Sequence, residues 1–390
     1  MRDVVICGVG LHKFGRFPNA SLEDLGQEAV LAALKDANDM PWNDVQMAFC
    51  GTMHAGTAAG HRVLARAGLT GIPIVNVETG CASGSSAFIL AYRHVAAGFC
   101  DVAIAIGVEK MPKGFMRMTS YPQWQMLSGL AINPLEFSLR ASQHMAEYGT
   151  THEQLAQVSV KSHKNGALNP YAMYRKEVSI EEVLASKMVC HPLRVLEFAA
   201  PGEGAGAVIV CSAELASRYA SKPIKVAAAV SGTAKYGTTR AGSGIGQMGN
   251  SARIHNTEVV TQLSQQAYEQ AGIGPKDLDV VELQDTDSSS EIILYEQLGL
   301  CQAGEGGRLI DEGRTEIGGD IPVNPSGGIL SCSEPTGASA LRQIVEITWQ
   351  LRGEAGARQV RNARTGLAQA SGAGFNCTVT ILQNLRGGST

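Results

Sequence analysis

Cys81 occupies the kind of position that makes a thiol a nucleophile. It lies in Asn76-Val77-Glu78-Thr79-Gly80-Cys81-Ala82-Ser83-Gly84-Ser85-Ser86-Ala87, after the apolar run Ile72 to Val77 and before the helix-like run Ala87 to Ala97. A thiol at a strand-to-helix turn sits at the positive end of the helix dipole, where free N–H groups favour thiolate. Small residues on both sides let a substrate carbonyl approach the sulfur and the backbone amides. That arrangement suits an acyl-accepting nucleophile. The other eight cysteines (Cys7, Cys50, Cys100, Cys190, Cys211, Cys301, Cys332, Cys377) lie mostly inside apolar runs and read as buried packing groups.

The elements that must position Cys81 alternate along the chain. Short β-branched runs (Val4 to Val9, Met47 to Cys50, Ile74 to Val77, Val102 to Val108, Ala207 to Cys211, Val280 to Leu283, Val379 to Leu382) are separated by longer alanine-rich stretches. The stretches with helical periodicity are Leu22 to Ala37, Ser85 to Ala97, Ser138 to Tyr148, His152 to Asn165, Glu258 to Ala271 and Ser288 to Leu298. This pattern predicts an α/β fold with parallel strands and crossover helices. At 390 residues the chain can bury a large core, and its 45 glycines imply many tight turns and close backbone contacts. A formal charge of −4 gives no reason to expect nucleic acid or an anionic membrane as partner. No apolar run approaches the ~20 residues that span a bilayer, and Met1 to Ile6 reads as a short strand rather than a signal peptide. Odd-numbered, scattered cysteines point to reduced thiols in a cytoplasmic protein, and without CxxC or HxxxH spacing no metal site is expected.

The pattern is written twice. A helix ending at Asp36-Ala37-Asn38 leads through a Pro41 turn to Asp44-Val45 and a strand ending at Cys50. Later, a helix ending at Gln270-Ala271-Gly272 leads through a Pro275 turn to Asp277-Leu278 and the strand Val280 to Leu283. The Cys81 turn is echoed by Ser333-Glu334-Pro335-Thr336-Gly337-Ala338-Ser339, which opens a helix over Ala340 to Leu351 and is followed by a strand over Arg364 to Gln369. Two similar halves, residues 1–230 and 231–390, fit this better than two unrelated domains. The stretch from about 110 to 200 has no counterpart in the second half. Its start is rich in Met111, Phe115, Met116, Met118, Tyr121, Trp124 and Met126. It reads either as a covering insertion with its own small core or as an apolar lid shaping an acyl pocket.

A duplicated α/β half with a cysteine at a strand–helix turn resembles the thiolase superfamily, over nearly the whole chain. The carriers are Gly80-Cys81-Ala82-Ser83-Gly84, His152-Glu153-Gln154-Leu155-Ala156, Asn165-Gly166-Ala167-Leu168-Asn169-Pro170 and Gly202-Glu203-Gly204-Ala205-Gly206-Ala207. Val281-Glu282-Leu283-Gln284-Asp285 and Asn324-Pro325-Ser326-Gly327-Gly328 complete them. The resemblance leans to the branch related to sterol carrier protein and its bacterial and archaeal relatives. It implies a five-layer α-β-α-β-α thiolase fold, a tight dimer, and coenzyme A thioesters as substrates. It also implies a nucleophilic cysteine, a histidine in Gly-His-Pro that deprotonates it, an Asn or His in the second-half strand motif, and a second cysteine in Cys-x-Gly that moves the carbon-bound proton.

This sequence departs from that pattern at three of the four positions. Glu334, in Ser333-Glu334-Pro335, takes the place of the histidine, Gln284 that of the Asn or His, and Ser371, in Ser371-Gly372-Ala373, that of the second cysteine. A carboxylate beside a thiol raises the thiol pKa, so Glu334 can serve as base only by taking the proton and becoming neutral. Burial would bring its pKa toward neutrality, and the neutral acid can donate a hydrogen bond to a thioester oxygen. Gln284 can donate through its amide to a water or ketone oxygen. Backbone amides of Cys81 and Ala373 are expected to form an oxyanion hole. Ser371 is a poor replacement for a proton-moving thiol; His54, on the loop Gly51 to Gly56, reads either as a substitute that reaches the pocket or as a satisfied loop histidine, and Asp285, Asp287 and His144 are weaker candidates that read first as structural or solvated groups. Lys235, Arg240 and Arg253 lie in the glycine-rich segment where the family contacts CoA, and read equally as CoA-phosphate contacts or as ordinary solvated surface charges.

The expected function is a CoA-dependent thiolase or acyltransferase working through acyl-Cys81, on a 3-oxoacyl-CoA that is aromatic or branched, such as benzoylsuccinyl-CoA. Two alternatives remain: a carbon–carbon lyase of the retro-aldol kind on a CoA ester, and a catalytically silent CoA-ester-binding subunit. The resemblance further implies a homodimer core and a small partner subunit carrying a zinc ribbon and an OB-fold.

Overall fold

A computed structural model describes residues 2–114, 123–129, 132–233, 257–372 and 376–384. Eleven strands are present among these: β1 (Val4–Leu11), β2 (Met47–Gly51), β3 (Ile74–Val77), β4 (Val102–Lys110), β5 (Met188–Cys190), β6 (Leu193–Arg194), β7 (Glu203–Ser212), β8 (Ile224–Gly232), β9 (Val280–Glu282), β10 (Thr365–Gly372) and β11 (Asn376–Gln383). All but the β5–β6 pair join one sheet in the order β3-β2-β4-β7-β1-β8-β11-β10-β9. Every residue of β1 and β7 is buried, which is why these strands read as unbroken apolar runs rather than alternating ones.

The sheet order carries the duplication predicted from the sequence. From the centre outward the first half runs β1, β7, β4, β2, β3, and the second runs β8, β11, β10, β9. Val323 bridges Val281 in parallel where β3 stands in the first half. The halves meet where β1 pairs antiparallel with β8, at Val5 with Lys225 and Ile6 with Ile224. Because β8 holds in the second half the place of β1 in the first, we propose that the division falls in the 213–223 connection rather than at 230/231.

Two helices lie between the sheet halves, Ser83–Ala96 behind Cys81 and Thr336–Arg352 behind Glu334. They share one apolar core with the inner faces of both halves, including Phe88, Val95, Leu341, Val345, Ala105, Val208 and Ala368. The helix Leu22–Asp36 packs outside the first half and Thr257–Ala271 outside the second, each over its own core. The order helix, strand, helix, strand, helix is the thiolase arrangement. Close approach in the middle layer depends on glycine. A Cβ on Gly337 would lie 2.7 Å from the Val108 carbonyl oxygen and 2.8 Å from that of Gly51.

Thr336–Arg352 carries five charged or amide side chains, yet all of them are buried. Arg342 pairs with Glu282 at 3.1 Å, Glu346 with Arg358 at 2.9 Å, and Arg352 with Asp36 at 2.6 Å. Gln350 donates to Glu346 and to the Arg358 carbonyl, both at 2.9 Å. Burial of such charges is tolerated because they are paired, and breaking one pair leaves an uncompensated ion. No helix among the described residues is long and apolar enough to cross a membrane.

Candidate active site

The Cys81 turn is held by its own small polar residues. Gly80 adopts φ +63°, and the Ser83 amide donates to the Gly80 carbonyl at 3.1 Å. The Thr79 amide donates to Ser83 Oγ at 2.9 Å, Ser83 Oγ donates to the Gly80 carbonyl at 2.5 Å, and Thr79 and Ser86 share a hydroxyl bond of 2.8 Å. Cys81 is half-buried, two residues ahead of the helix Ser83–Ala96. Gly372 presses on this turn from β10, where any Cβ would collide with the Thr79 carbonyl.

Glu334 comes to the thiol from the other half. The helix Gly328–Cys332 ends at Ser333, which takes φ +79°, a conformation costly for any residue but glycine. The Glu334 amide then donates to the Ala200 carbonyl at 2.9 Å, fixing the residue beside β7. Its side chain is 7% exposed and hydrogen-bonded to the Cys81 thiol. Gln284, 5% exposed at the end of β9, donates from Nε2 to Glu334 Oε1 at 2.7 Å. The Gln284 backbone amide in turn donates to Gln369 Oε1 at 3.3 Å, and Gln369 Nε2 donates to Ser371 Oγ at 2.8 Å. Cys81, Glu334, Gln284, Gln369 and Ser371 thus form one line across the two halves.

Electrostatics divide the pair. Burial pushes the Cys81 thiol well above its ordinary value, and the Glu334 carboxylate adds to this by repulsion. These effects outweigh the helix end, so the thiol rests protonated. Burial also raises Glu334, to about 7, against the hydrogen bonds from Cys81 and Gln284 that favour its ionised form. At neutral pH the carboxylate can therefore take the thiol proton, the exchange that chemistry at this turn requires.

Glu334 also lines a cavity of about 320 Å³. Its other walls include Phe137, Tyr174, Val189, Leu196, Phe198 and Leu330. Most of these belong to the stretch between about 110 and 200. Residues 4–213 match the family model "Thiolase, N-terminal domain", and residues 243–384 match "Thiolase C-terminal domain-like". The chain belongs to the thiolase family. It is 39% identical to an acetyl-CoA acetyltransferase of Methanothermobacter thermautotrophicus, over 95% of this chain and 97% of that one. It is 38% identical to the benzoylsuccinyl-CoA thiolase subunit BbsB of Thauera aromatica, over 96% and 95%, and 35% identical to sterol carrier protein 2 of Bos taurus, over 97% and 72%. Among solved structures, the "Ltp2-ChsH2(DUF35) aldolase" superposes with a TM-score of 0.85 at 26% identity over 98% of both chains. Human mitochondrial 3-ketoacyl-CoA thiolase shares the fold, at TM-score 0.70 and 15% identity over 98% of this chain and 99% of that one.

With these relatives the enzyme is a thiolase-type acyltransferase, and thiolases take CoA thioesters. The structure does not bring every expected residue to its centre. In this thiolase His54 is exposed, and its backbone amide is bound to the buried Glu109 at 3.1 Å. Asp285 accepts the amides of Ile329 at 2.7 Å and Leu330 at 3.3 Å, so it caps the short helix Gly328–Cys332. Asp287 caps Ser288–Gln297, and His144 bonds Thr150 at 2.7 Å and Glu296 at 3.1 Å. Ser371 is tied to Gln369 rather than to Cys81. Ala373, Lys235, Arg240 and Arg253 lie outside the described residues, as do Phe115, Met116, Met118 and Tyr121 of the insertion.

Two residues escaped the sequence reading. Glu109 accepts from the Met53 amide at 2.7 Å and the Thr336 hydroxyl at 3.2 Å, joining the loop after β2 to the start of Thr336–Arg352. Gln369 links Gln284 to Ser371. Each is a polar side chain in an otherwise apolar strand, and that anomaly was the available signal. Among the described residues no cluster of side chains fit to hold a metal is present.

Proposed function

We propose that this thiolase cleaves a 3-oxoacyl-CoA by attack of Cys81 on the 3-carbonyl, with Glu334 as the general base. The observation that carries the reading is that Glu334 touches both the Cys81 thiol and the acyl cavity. Gln284 holds the carboxyl in place through its 2.7 Å bond, and its own Oε1 has no hydrogen-bond partner among the described residues. Acyl-Cys81 then passes its acyl group to the thiol of CoA.

The cavity supports an aromatic or branched acyl group. Phe137 and Phe198 pack at a 55° tilt with ring centroids 6.4 Å apart, and Tyr174 completes an apolar wall that an acetyl group would leave largely unfilled. The relative named benzoylsuccinyl-CoA thiolase subunit BbsB has the same leaning. That name, and the aldolase solved with a DUF35 chain, support a small partner subunit here, the zinc-ribbon and OB-fold chain expected from the resemblance. A homodimer is supported by β3, whose outer edge is unpaired among the described residues and whose Val75 is 40% exposed. Nine free cysteines support a reducing, cytoplasmic setting.

Similarity to the Ltp2-ChsH2(DUF35) aldolase favours one second reading, a carbon–carbon lyase in which Cys81 is never acylated. Intact-protein mass spectrometry separates the two. Wild type and Cys81→Ala are incubated with acyl-CoAs including benzoyl-CoA and succinyl-CoA. An acyl adduct on wild type alone is expected. Cleavage of a CoA ester without any adduct, and unaffected by Cys81→Ala, would establish the lyase.

A further inference from the structure

Thiolytic cleavage moves two protons, and the family pattern divides them between a histidine and a second cysteine. Neither is present here. Attack by Cys81 releases the thiol proton, and breaking the C2–C3 bond leaves an electron pair on C2 that must be protonated. In the expected position for the second task stands Ser371, whose oxygen accepts a hydrogen bond from Gln369 Nε2. Behind it lies Cys377, its cross-strand partner, buried in the second-half core with a thiol pushed up to about 12 by burial. His163 and Tyr174 also line the cavity, but among the described residues the side chain hydrogen-bonded to Cys81 is Glu334.

We propose that Glu334 carries both protons: the one it takes from Cys81 is the one it gives to C2 of the leaving acyl-CoA. The inference rests on the acyl-cysteine reading above. Covalent connectivity supplies the reach. C3 is bonded to Sγ in the tetrahedral intermediate and C2 is bonded to C3, so a carboxyl hydrogen-bonded to Sγ lies beside C2. Glu334 also forms part of the cavity wall, so the cavity reaches the residue that neighbours Sγ.

The balance closes on one carboxyl. In the first half-reaction the Sγ–H bond breaks and its proton goes to Glu334, Sγ–C3 forms, C2–C3 breaks, and the Glu334 proton goes to C2. In the second, the thiol proton of CoA goes to Glu334, the CoA sulfur bonds to C3, Sγ–C3 breaks, and the proton returns to Sγ. Glu334 ends each cycle ionised, as it began. Gln284 serves both states, because a carboxyl oxygen accepts from its amide whether or not the other oxygen is protonated.

The test separates proton removal from proton delivery. Two paired donors are used on the full chain: acetyl-CoA with acetoacetyl-CoA, and benzoyl-CoA with benzoylacetyl-CoA. The simple acyl donor acylates Cys81 without any proton reaching carbon, whereas the 3-oxo donor requires one. Raising the pH ionises the thiol directly and removes the need for a base. In Glu334→Gln at high pH, acylation by the simple acyl donor is expected to recover to within about tenfold of wild type, while carbon–carbon cleavage stays at least about a hundredfold down. Ser371→Ala and His163→Gln, which alter the site itself, are expected to lower acylation and cleavage by the same factor, and Cys377→Ala, a core thiol, is expected to cleave within about threefold of wild type. Recovery of cleavage together with acylation in Glu334→Gln would overturn the proposal, as would loss of cleavage without loss of acylation in any of the other three. No adduct on wild type from either donor would instead overturn the acyl-cysteine reading itself.

Discussion

Cys81 and Glu334 are both pushed toward their protonated forms by burial, the thiol further than the carboxyl, so near pH 7 the thiol keeps its proton while Glu334 is divided between its two forms. The reactive form has Glu334 ionised, so acylation is expected to fall as pH drops through about 7, with a single-proton slope. Glu334→Gln should lack that limb, which stopped-flow acylation against pH would read directly. The same carboxyl has a folded-state pKa raised from 4.5 to about 7. A raised carboxyl favours the folded state below its unfolded pKa, and that stability is lost as pH rises through the folded one. Wild type should therefore lose up to about 3 kcal/mol relative to Glu334→Gln between those pH values, at ~1.4 kcal/mol per pKa unit. Chemical denaturation of both proteins at several pH values gives the difference. A variant no more stable than wild type above neutrality would place Glu334 in a wetter setting than the structure does. If Glu334 is the base proposed above, its charge is maintained against folding, a common trade at active sites.

Strand ends and helix starts decide where these side chains stand. Cys81 precedes one central helix and Glu334 the other, and both helices touch the ends of β2 and β4 through glycine. Gly51, Gly84, Gly107 and Gly337 all face backbone at distances no Cβ tolerates. Gly337→Ala is expected to push Thr336–Arg352 away from Gly51 and Val108 and to cost about 1–3 kcal/mol, as overpacking does. Because Glu334 lies three residues upstream, kcat should fall more than a stability loss alone explains. A denaturant midpoint and a steady-state assay on folded protein check the two parts. Unchanged stability would mean that the helix has room the glycines do not indicate.

At the scale of the molecule, the two halves are one sheet joined through β1 and β8, with its duplicated order centred on that seam. One end, β9, is bridged by Val323, while the other, β3, presents backbone groups that no strand pairs among the described residues. Unprotected edges invite pairing, and a second copy offers the same strand in reverse. Val75→Lys is expected to turn a dimer into a monomer by light scattering with little change in far-ultraviolet circular dichroism. A dimer that survives this change would place the contact elsewhere on the molecule.

The repeat, most of the longer strands and helices, the Cys81 turn and the positions of Glu334, Gln284 and Ser371 were legible in the sequence, because each depends on local residue type and spacing. β8 was missed, since Ile224 to Gly232 mixes small and apolar residues without a turn signal of its own. Contacts across the halves were not legible. Sequence reading proposed His54 for the second proton, but the fold leaves that side chain exposed and holds its amide on Glu109. The polar residues of Thr336–Arg352 look like a solvated face, yet they are buried by partners as distant as Asp36 and Glu282. Residue type determined that a thiol, a carboxyl and an amide would be the groups available for chemistry. Only tertiary structure set Glu334 against both the thiol and the cavity, because burial and proton sharing depend on neighbours more than two hundred and fifty residues away in the chain.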